Sequence, residues 1–460
     1  MKRFIASVVT IVALVLLVSC GGGKSSASKA AADDTGIKLK ETGKNGTLTF
    51  AMWGTPPEKS AVYQVLQAFQ KENPEIGIKV IHVDFYNYND KLKTMIAGGT
   101  PPDVFYCDRP YFYDLASRGA LLNLDEYVKQ PEFNAGDFYP ILMKAFQFSG
   151  NQYGIPKDWT TFALYYNKDM FDKEGLKYPD SNWTWTDLSN AAAKLTKGVQ
   201  GSGRIDQYGF IMETWADWYY NFLRQNGGEI FDEKGNWVFS KGQYLNQNAE
   251  ALTYLADLVK KRWAPDPTTA KQLGAQQAFI SGQAAMCIYG RWVELDFKAI
   301  NKFKWDYTVL PHSKKRASVY TTVAYAISAN TKNPDASWKL IQFLTSEQGQ
   351  YFTAKTGMAI PSRQSLVAKD SYLKSPEVLA NQPQLAKATP ADDPFIQQIP
   401  YAVPIPVGPV WLETRAKLDE QLEDVFLGNK DAKSVILKLD AIVDDIVKSK
   451  NQGPSVGQTE

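Results

Sequence analysis

Hydrophobic positions along the chain switch between a period of two and a period near 3.6, and the switches mark its elements. The run Thr47-Leu48-Thr49-Phe50-Ala51-Met52-Trp53 predicts a short strand, ended by Gly54 and the pair Pro56-Pro57. From Glu58 the apolar residues Val62, Val65, Leu66 and Phe69 recur at helical spacing, and Asn73-Pro74 closes the helix. A second strand is predicted over 76–85, a second helix over 89–97 stopped by Gly98-Gly99, and a third strand over 103–107. Strand and helix in alternation point to a parallel α/β sheet.

The alternation returns further on. Leu188, Ala191, Ala192 and Leu195 form one helical stripe, with Thr184 as N-cap and Asp187 three residues later as an approximate capping box. Leu252, Leu255, Ala256 and Val259 form another. A strand is predicted over 319–328, a helix over 338–344, and two closing helices over 418–427 and 435–447. No repeat of solenoid length is visible. With 460 residues the chain exceeds what one hydrophobic core supports, so the fold class is α/β with two lobes.

The ends of the chain read differently. Lys2 and Arg3 precede an apolar run from Phe4 to Val18, which is of signal-peptide length and short for a membrane span. Leu17-Val18-Ser19-Cys20 resembles a bacterial lipobox, in which Cys20 is acylated and becomes the mature N-terminus; the alternative is an ordinary secretory leader with a coincidental cysteine. Acyl chains contribute about 0.8 kcal/mol per buried CH₂, enough together to hold a protein at a membrane without a spanning helix. Residues 1–20 are therefore expected to be a leader, 21–46 (rich in Gly, Ser, Ala and Lys) a flexible tether, and 451–460 a disordered tail.

Composition narrows the partners. Lysine and arginine total 51 against 49 acidic residues, and Lys2 and Arg3 of the leader account for the excess. No nucleic-acid footprint exists in such a balance. Beyond Cys20 only Cys107 and Cys287 remain, and they read as small buried residues ahead of a disulfide. With His82 and His312 the only histidines, and no Cys-x-x-Cys pair, neither a metal site nor a cofactor is expected.

Ligands of parallel α/β sheets sit beyond the carboxyl ends of the strands. That rule selects Trp53 and Glu58 after the first strand and Asp108-Arg109 after the third. Asp108 and Arg109 read equally as a solvated turn pair, and Glu58 as a first-turn carboxylate on the helix dipole. Twelve tryptophans form the second clue, most of them between 159 and 305. An indole covers the C–H face of a pyranose while carboxylates, amides and arginines take its hydroxyls. Trp185, Trp237, Trp263, Trp305 and Trp338 read as core residues, and Trp183 is open.

Seven segments then stand in a recognisable order: FAMWG at 50–54, FQKENPEIGIKV at 69–80, IAGGTPPDVFYCD at 96–108, LASRGALLNLDEYV at 115–128, YGIPKDWTTFALYYNKDMF at 153–171, AFISGQAAMCIYGRW at 278–292 and YAISANTKNPDASWKLIQFLTSEQGQYF at 325–352. Together they resemble the family 1 extracellular solute-binding proteins of bacterial ABC importers, the group that includes maltose-binding protein. The resemblance implies two Rossmann-like lobes joined by a multi-crossing hinge, with a ligand cleft between them. Lobe 1 would hold 47–156 and 310–358, and lobe 2 would hold 157–309 and 359–450. Proline marks the three implied crossings, near Ile155-Pro156, Val309-Leu310-Pro311 and Ala359-Ile360-Pro361.

The resemblance also implies site residues. Trp292 in YGRW and Trp411 in GPVW fall where ligand-stacking aromatics lie, and they are the first candidates. Trp159 and Trp215 fall on cleft-facing segments, Tyr325 ends the TTVAY segment, and Asp158 adjoins the first crossing. Cys107 replaces an aromatic of maltose-binding protein, which argues against maltose itself. The implied function is capture of a carbohydrate by hinge closure, as a lipid-anchored extracytoplasmic monomer, and its delivery to ABC permease subunits. A glycerol-phosphate compound is the alternative solute, because Arg109, Arg291 and Arg363 could each meet a phosphate. A lipid-anchored glycoside hydrolase is the alternative class; it needs two carboxylates about 5–9.5 Å apart, and no signature marks such a pair.

Overall fold

Phe50 sits opposite Val80 on one side and Val104 on the other, so the first strand is the middle of a parallel trio. The computed structural model describes residues 35–198, 201, 203–232, 235–369, 374, 379 and 389–451. The trio is Thr47–Met52, Gly77–His82 and Val104–Asp108, linked by helices Pro56–Glu72 and Phe85–Ala97. Val62, Val65, Leu66 and Phe69 bury the inner face of the first helix, as their spacing predicts. The second helix begins at Phe85, earlier than the expected 89, because the Asp84 side chain accepts the Asn87 backbone N–H at 3.1 Å and caps it there. Phe85 and Tyr86 are thereby moved from the end of a strand to the first turn of a helix.

Beside Val104–Asp108 the sheet turns antiparallel. Strand Ser318–Ile327 joins it, then Gly154–Thr160, then Ile360–Pro361 at the edge, and Ala402–Pro404 pairs with the start of Ser318–Ile327. A register shift between Val323 and Ala324 bends the long pair where it passes the middle of the molecule. Every residue of Gly154–Thr160 is buried, as befits a strand covered on both sides.

A second sheet carries the other lobe. Its middle strand, Ala163–Asn167, is flanked antiparallel by Met286–Tyr289 and Trp305–Val309. The chain passes between the sheets at 161–162 and at 310–317, and leaves the first sheet again after Pro361. The first passage lies beyond Ile155-Pro156, because pairing to Ser318–Ile327 persists through Thr160. Helices Trp185–Leu195, Ala216–Gln225, Gln243–Lys260, Trp411–Phe426 and Ala432–Asn451 pack on this lobe through Leu188, Ala192, Leu252, Leu255, Leu418, Leu422 and Leu439. Thr184 and Asp187 form the reciprocal capping box.

Residues expected as tether are held from Lys40 onward. Lys40 N–H donates to Gln70 Oε1 at 2.9 Å, its carbonyl accepts Ile78 N–H at 2.9 Å, and Asn45 N–H donates to the Glu75 carbonyl at 2.9 Å. The leader with Cys20, residues 21–34 and the tail from 452 lie outside the described residues. Cys107 and Cys287 are buried free thiols. Among the described residues no helix is long and apolar enough to cross a membrane, and no acidic, histidine or cysteine cluster of three could hold a metal.

Candidate functional site

The carboxyl ends of the first-lobe strands carry one charged cluster. Glu58 lies in the first turn after strand Thr47–Met52, and its Oε1 is 3.8 Å from Lys157 Nζ. Lys157 also donates to Asp158 Oδ2 and stands 5.0 Å from the Tyr106 ring. Burial pushes the Glu58 carboxyl up to about 7, with Lys157 pulling against it. Gly54, at φ +150°, admits that carboxyl: a Cβ there would sit 2.8 Å from it. Trp53 is 5.0 Å from the Tyr106 ring, edge to face, and Tyr325 lies 5.6 Å behind Tyr106. Glu58, Lys157 and Asp158 are each nine-tenths buried or more.

A second cluster faces across the lobes. Asp108 ends strand Val104–Asp108 and Arg109 opens the helix after it. Opposite them stand Asp217 of helix Ala216–Gln225 and Arg415 and Asp419 of helix Trp411–Phe426. Arg415 Nη2 is 3.4 Å from Asp217 Oδ2, and the Tyr219 hydroxyl donates to Asp419 Oδ1 at 3.3 Å. Burial raises Asp108 to about 7, opposed by Arg415; Asp217 is raised by burial against the pull of Arg415 and Arg109. Burial lowers Arg109, which lies 5.9 Å from the Tyr320 ring. Cation therefore faces anion in both directions across the gap.

Five polar atoms here are buried without a hydrogen-bond partner: Arg109 Nε and Nη1, Asp217 Oδ1, Trp411 Nε1 and Thr414 Oγ1. Folded proteins rarely leave such atoms without a partner, so each calls for water, an ion or a ligand to take it. Trp411, Thr414 and Arg415 fall at i, i+3 and i+4, on one helix face. An aromatic group completes the second-lobe wall: Phe162 lies 6.0 Å from Trp215 and 5.5 Å from Trp292, both half-buried. Gly290 makes room for the Trp292 ring, which a Cβ would meet at 2.1 Å. Tyr289 donates its hydroxyl to Glu213, which precedes Trp215 by two residues.

Trp53, Glu58, Asp108, Arg109, Asp158, Trp215 and Trp292 thus stand at or beside these clusters. Four expected site residues do not present a free surface. Trp159 is 1% exposed, wedged between Tyr139 and Tyr320, with its indole N–H donating to the Pro361 carbonyl at 3.2 Å. Arg291 is wholly buried, paired with Asp393, 3.4 Å from Glu294 and donating Nε to the Gly357 carbonyl at 3.0 Å. It turns away from Trp292, its chain neighbour, toward the Phe395 ring at 5.0 Å. Trp411 is 1% exposed and packs edge-on to Phe231 in the second-lobe core. Tyr325 is covered by Tyr106. Arg363, the third candidate for phosphate, is engaged with Asp137 at 3.2 Å and the Phe133 carbonyl at 3.1 Å.

Lys157, Asp217, Arg415 and Asp419 escape the sequence reading. Their one signal is position: Lys157 precedes Asp158, Asp217 follows Trp215 by two residues, and Arg415 follows Trp411 by four.

The family model described as bacterial extracellular solute-binding protein matches residues 53–351. The chain is 25% identical over 455 residues to a maltooligosaccharide ABC transporter solute-binding lipoprotein of Streptococcus pneumoniae (strain ATCC BAA-255 / R6), covering 95% of each. It is 22% identical over 448 residues to the galactooligosaccharide-binding protein of Bacillus subtilis (strain 168), again covering 95% of each. Among solved structures, an ABC substrate-binding protein from Listeria monocytogenes in complex with cycloalternan superposes with a TM-score of 0.77 at 26% identity, over 88% of this chain and 98% of that one.

Proposed function

Because the chain belongs to the bacterial extracellular solute-binding proteins, we propose that it encloses a neutral carbohydrate between its lobes and delivers it to the permease of an ABC importer. The observation that carries this is a facing set of buried atoms without a hydrogen-bond partner, Arg109 Nε and Nη1 on one lobe and Asp217 Oδ1 on the other. A sugar hydroxyl accepts from one and donates to the other at once. Partly open Trp215 and Trp292, with Trp53 on the opposite wall, supply faces for the C–H side of a pyranose.

Charge disfavours the glycerol-phosphate alternative. Glu58, Asp108, Asp158, Asp217 and Asp419 outnumber Lys157, Arg109 and Arg415, and Arg291 and Arg363 are spent elsewhere. A phosphate would meet more carboxylate than cation. The solute-binding relatives argue against the hydrolase alternative. Capture works by closure: a ligand touching both lobes stabilises the closed form by its differential affinity for it. The lobes on either side of the passages at 161–162 and 310–317 move as the two bodies, the protein acts as a monomer, and acylated Cys20 holds it at the extracytoplasmic face of a membrane.

Calorimetric titration with neutral malto- and galacto-oligosaccharides, and in parallel with glycerol phosphates, tests the reading. Saturable binding of a neutral oligosaccharide that is recovered uncleaved is expected. Preference for the phosphates, or cleavage, would overturn it.

A further inference from the structure

Aromatic rings run outward from the first-lobe cluster to the surface. Capping by Asp84 sets Phe85 and Tyr86 in the first helical turn, where Phe85 is 51% and Tyr86 92% exposed. Phe85 meets Trp53 edge-on at 5.6 Å, and Tyr86 meets Phe85 at 5.7 Å. Trp53 in turn meets Tyr106, beside the Lys157 ammonium. Four rings thus run without a break from the buried charged cluster to open solvent. Isolated apolar residues on a surface need no explanation; a chain of rings continuous with the cleft does. On the second lobe Tyr289 donates its hydroxyl to Glu213.

We propose that Phe85 and Tyr86 form an outer subsite that stacks a sugar ring lying beyond the enclosed cleft, so that the ligand is an oligosaccharide extending from the Arg109–Asp217 pair to the rim. The inference rests on the carbohydrate reading above and adds chain length to it. Tyr86 contributes little to the fold: at 92% exposed it touches Phe85 edge-on and leaves most of its ring open to a ligand that arrives from solvent. An aromatic edge at the entrance favours a pyranose over a charged solute because the ring's C–H face is apolar while its hydroxyls stay hydrated.

Linear malto- and galacto-oligosaccharides of increasing length, titrated into wild type, Tyr86→Ala and Tyr86→Trp, provide the test. Wild-type affinity should rise with length up to the ligand that reaches the rim. Tyr86→Ala should lose about tenfold on the long ligands and nothing on the shortest, at an unchanged melting temperature, and Tyr86→Trp should restore binding. Loss that is equal at every length, no loss at all, or a wild-type affinity that never grows with length would overturn the outer subsite and leave the carbohydrate reading standing. Wild type that binds no neutral oligosaccharide of any length would overturn both.

Discussion

Two buried arginines should answer mutation in opposite ways. Arg109 is 8% exposed, and its Nε and Nη1 have no hydrogen-bond partner; Arg291 is wholly buried and bound to Asp393, Glu294 and the Gly357 carbonyl. In the unliganded protein each orphaned N–H of Arg109 costs about 1–3 kcal/mol, against which stands a cation–π contact with Tyr320 at 5.9 Å worth about 0.5–2 kcal/mol. Arg109→Leu should therefore leave folding stability within about 1 kcal/mol of wild type, or raise it. Binding should suffer. A hydrogen bond to a charged donor contributes about 1.5–3 kcal/mol, so losing two removes at least about 3 kcal/mol, a hundredfold or more in Kd. Arg291→Met strips the guanidinium from two buried carboxylates and should cost about 3–5 kcal/mol of stability. Calorimetric titration beside thermal unfolding, with one oligosaccharide that wild type binds, resolves the pair. Wild-type affinity in Arg109→Leu, or a drop in melting temperature matching that of Arg291→Met, would refute the assignment of Arg109 to the ligand.

Burial pushes Glu58 from 4.5 and Asp108 from 3.8 up to about 7, so between those values the folded state holds protons that the unfolded chain has released. Stability should then fall as pH rises from about 4 to about 7 and level off above that, and Glu58→Gln should flatten the slope in denaturant titrations; a profile that rises over that window would contradict it. Trp411→Ala should cost about 3–5 kcal/mol of stability, as truncation of a core aromatic does, whereas Trp411→Phe should melt near wild type yet bind more weakly for want of the Nε1 donor. Cys20→Ser should abolish labelling by a fatty-acid analogue in cells, and persistent labelling would remove the proposed anchor.

Local pattern carried much of the fold. Val62, Val65, Leu66 and Phe69 recur at helical spacing because the helix they form buries that face, and the Thr184–Asp187 capping box lies within one turn. What local pattern lacks is direction and distance. Nothing around Ala163–Asn167 announces that its neighbours, Met286–Tyr289 and Trp305–Val309, run antiparallel to it. The start of the helix at Phe85 was masked because Val83, Phe85 and Tyr86 suit a strand, and the Asp84 cap outweighs them. Strand ends point to Trp53, Glu58, Asp108 and Arg109, and the structure sets these four beside the two charged clusters. Nothing local to Arg291 announces its pairing with Asp393, 102 residues along the chain. Trp411 has the residue type of a stacking platform, and only the packing of Phe231 against it turns the ring inward. Asp217 and Arg415 went unnoticed for the same reason: each becomes meaningful only when the chain brings the other, and Arg109, opposite.

The central claim, that a neutral saccharide is enclosed between the lobes, is tested most directly by denaturing freshly purified protein from its own cells and weighing what is released. The prediction is one intact saccharide near unit stoichiometry, which rebinds to the emptied wild type and fails to rebind to Arg109→Leu. Release of a phosphorylated or otherwise non-carbohydrate solute would contradict it.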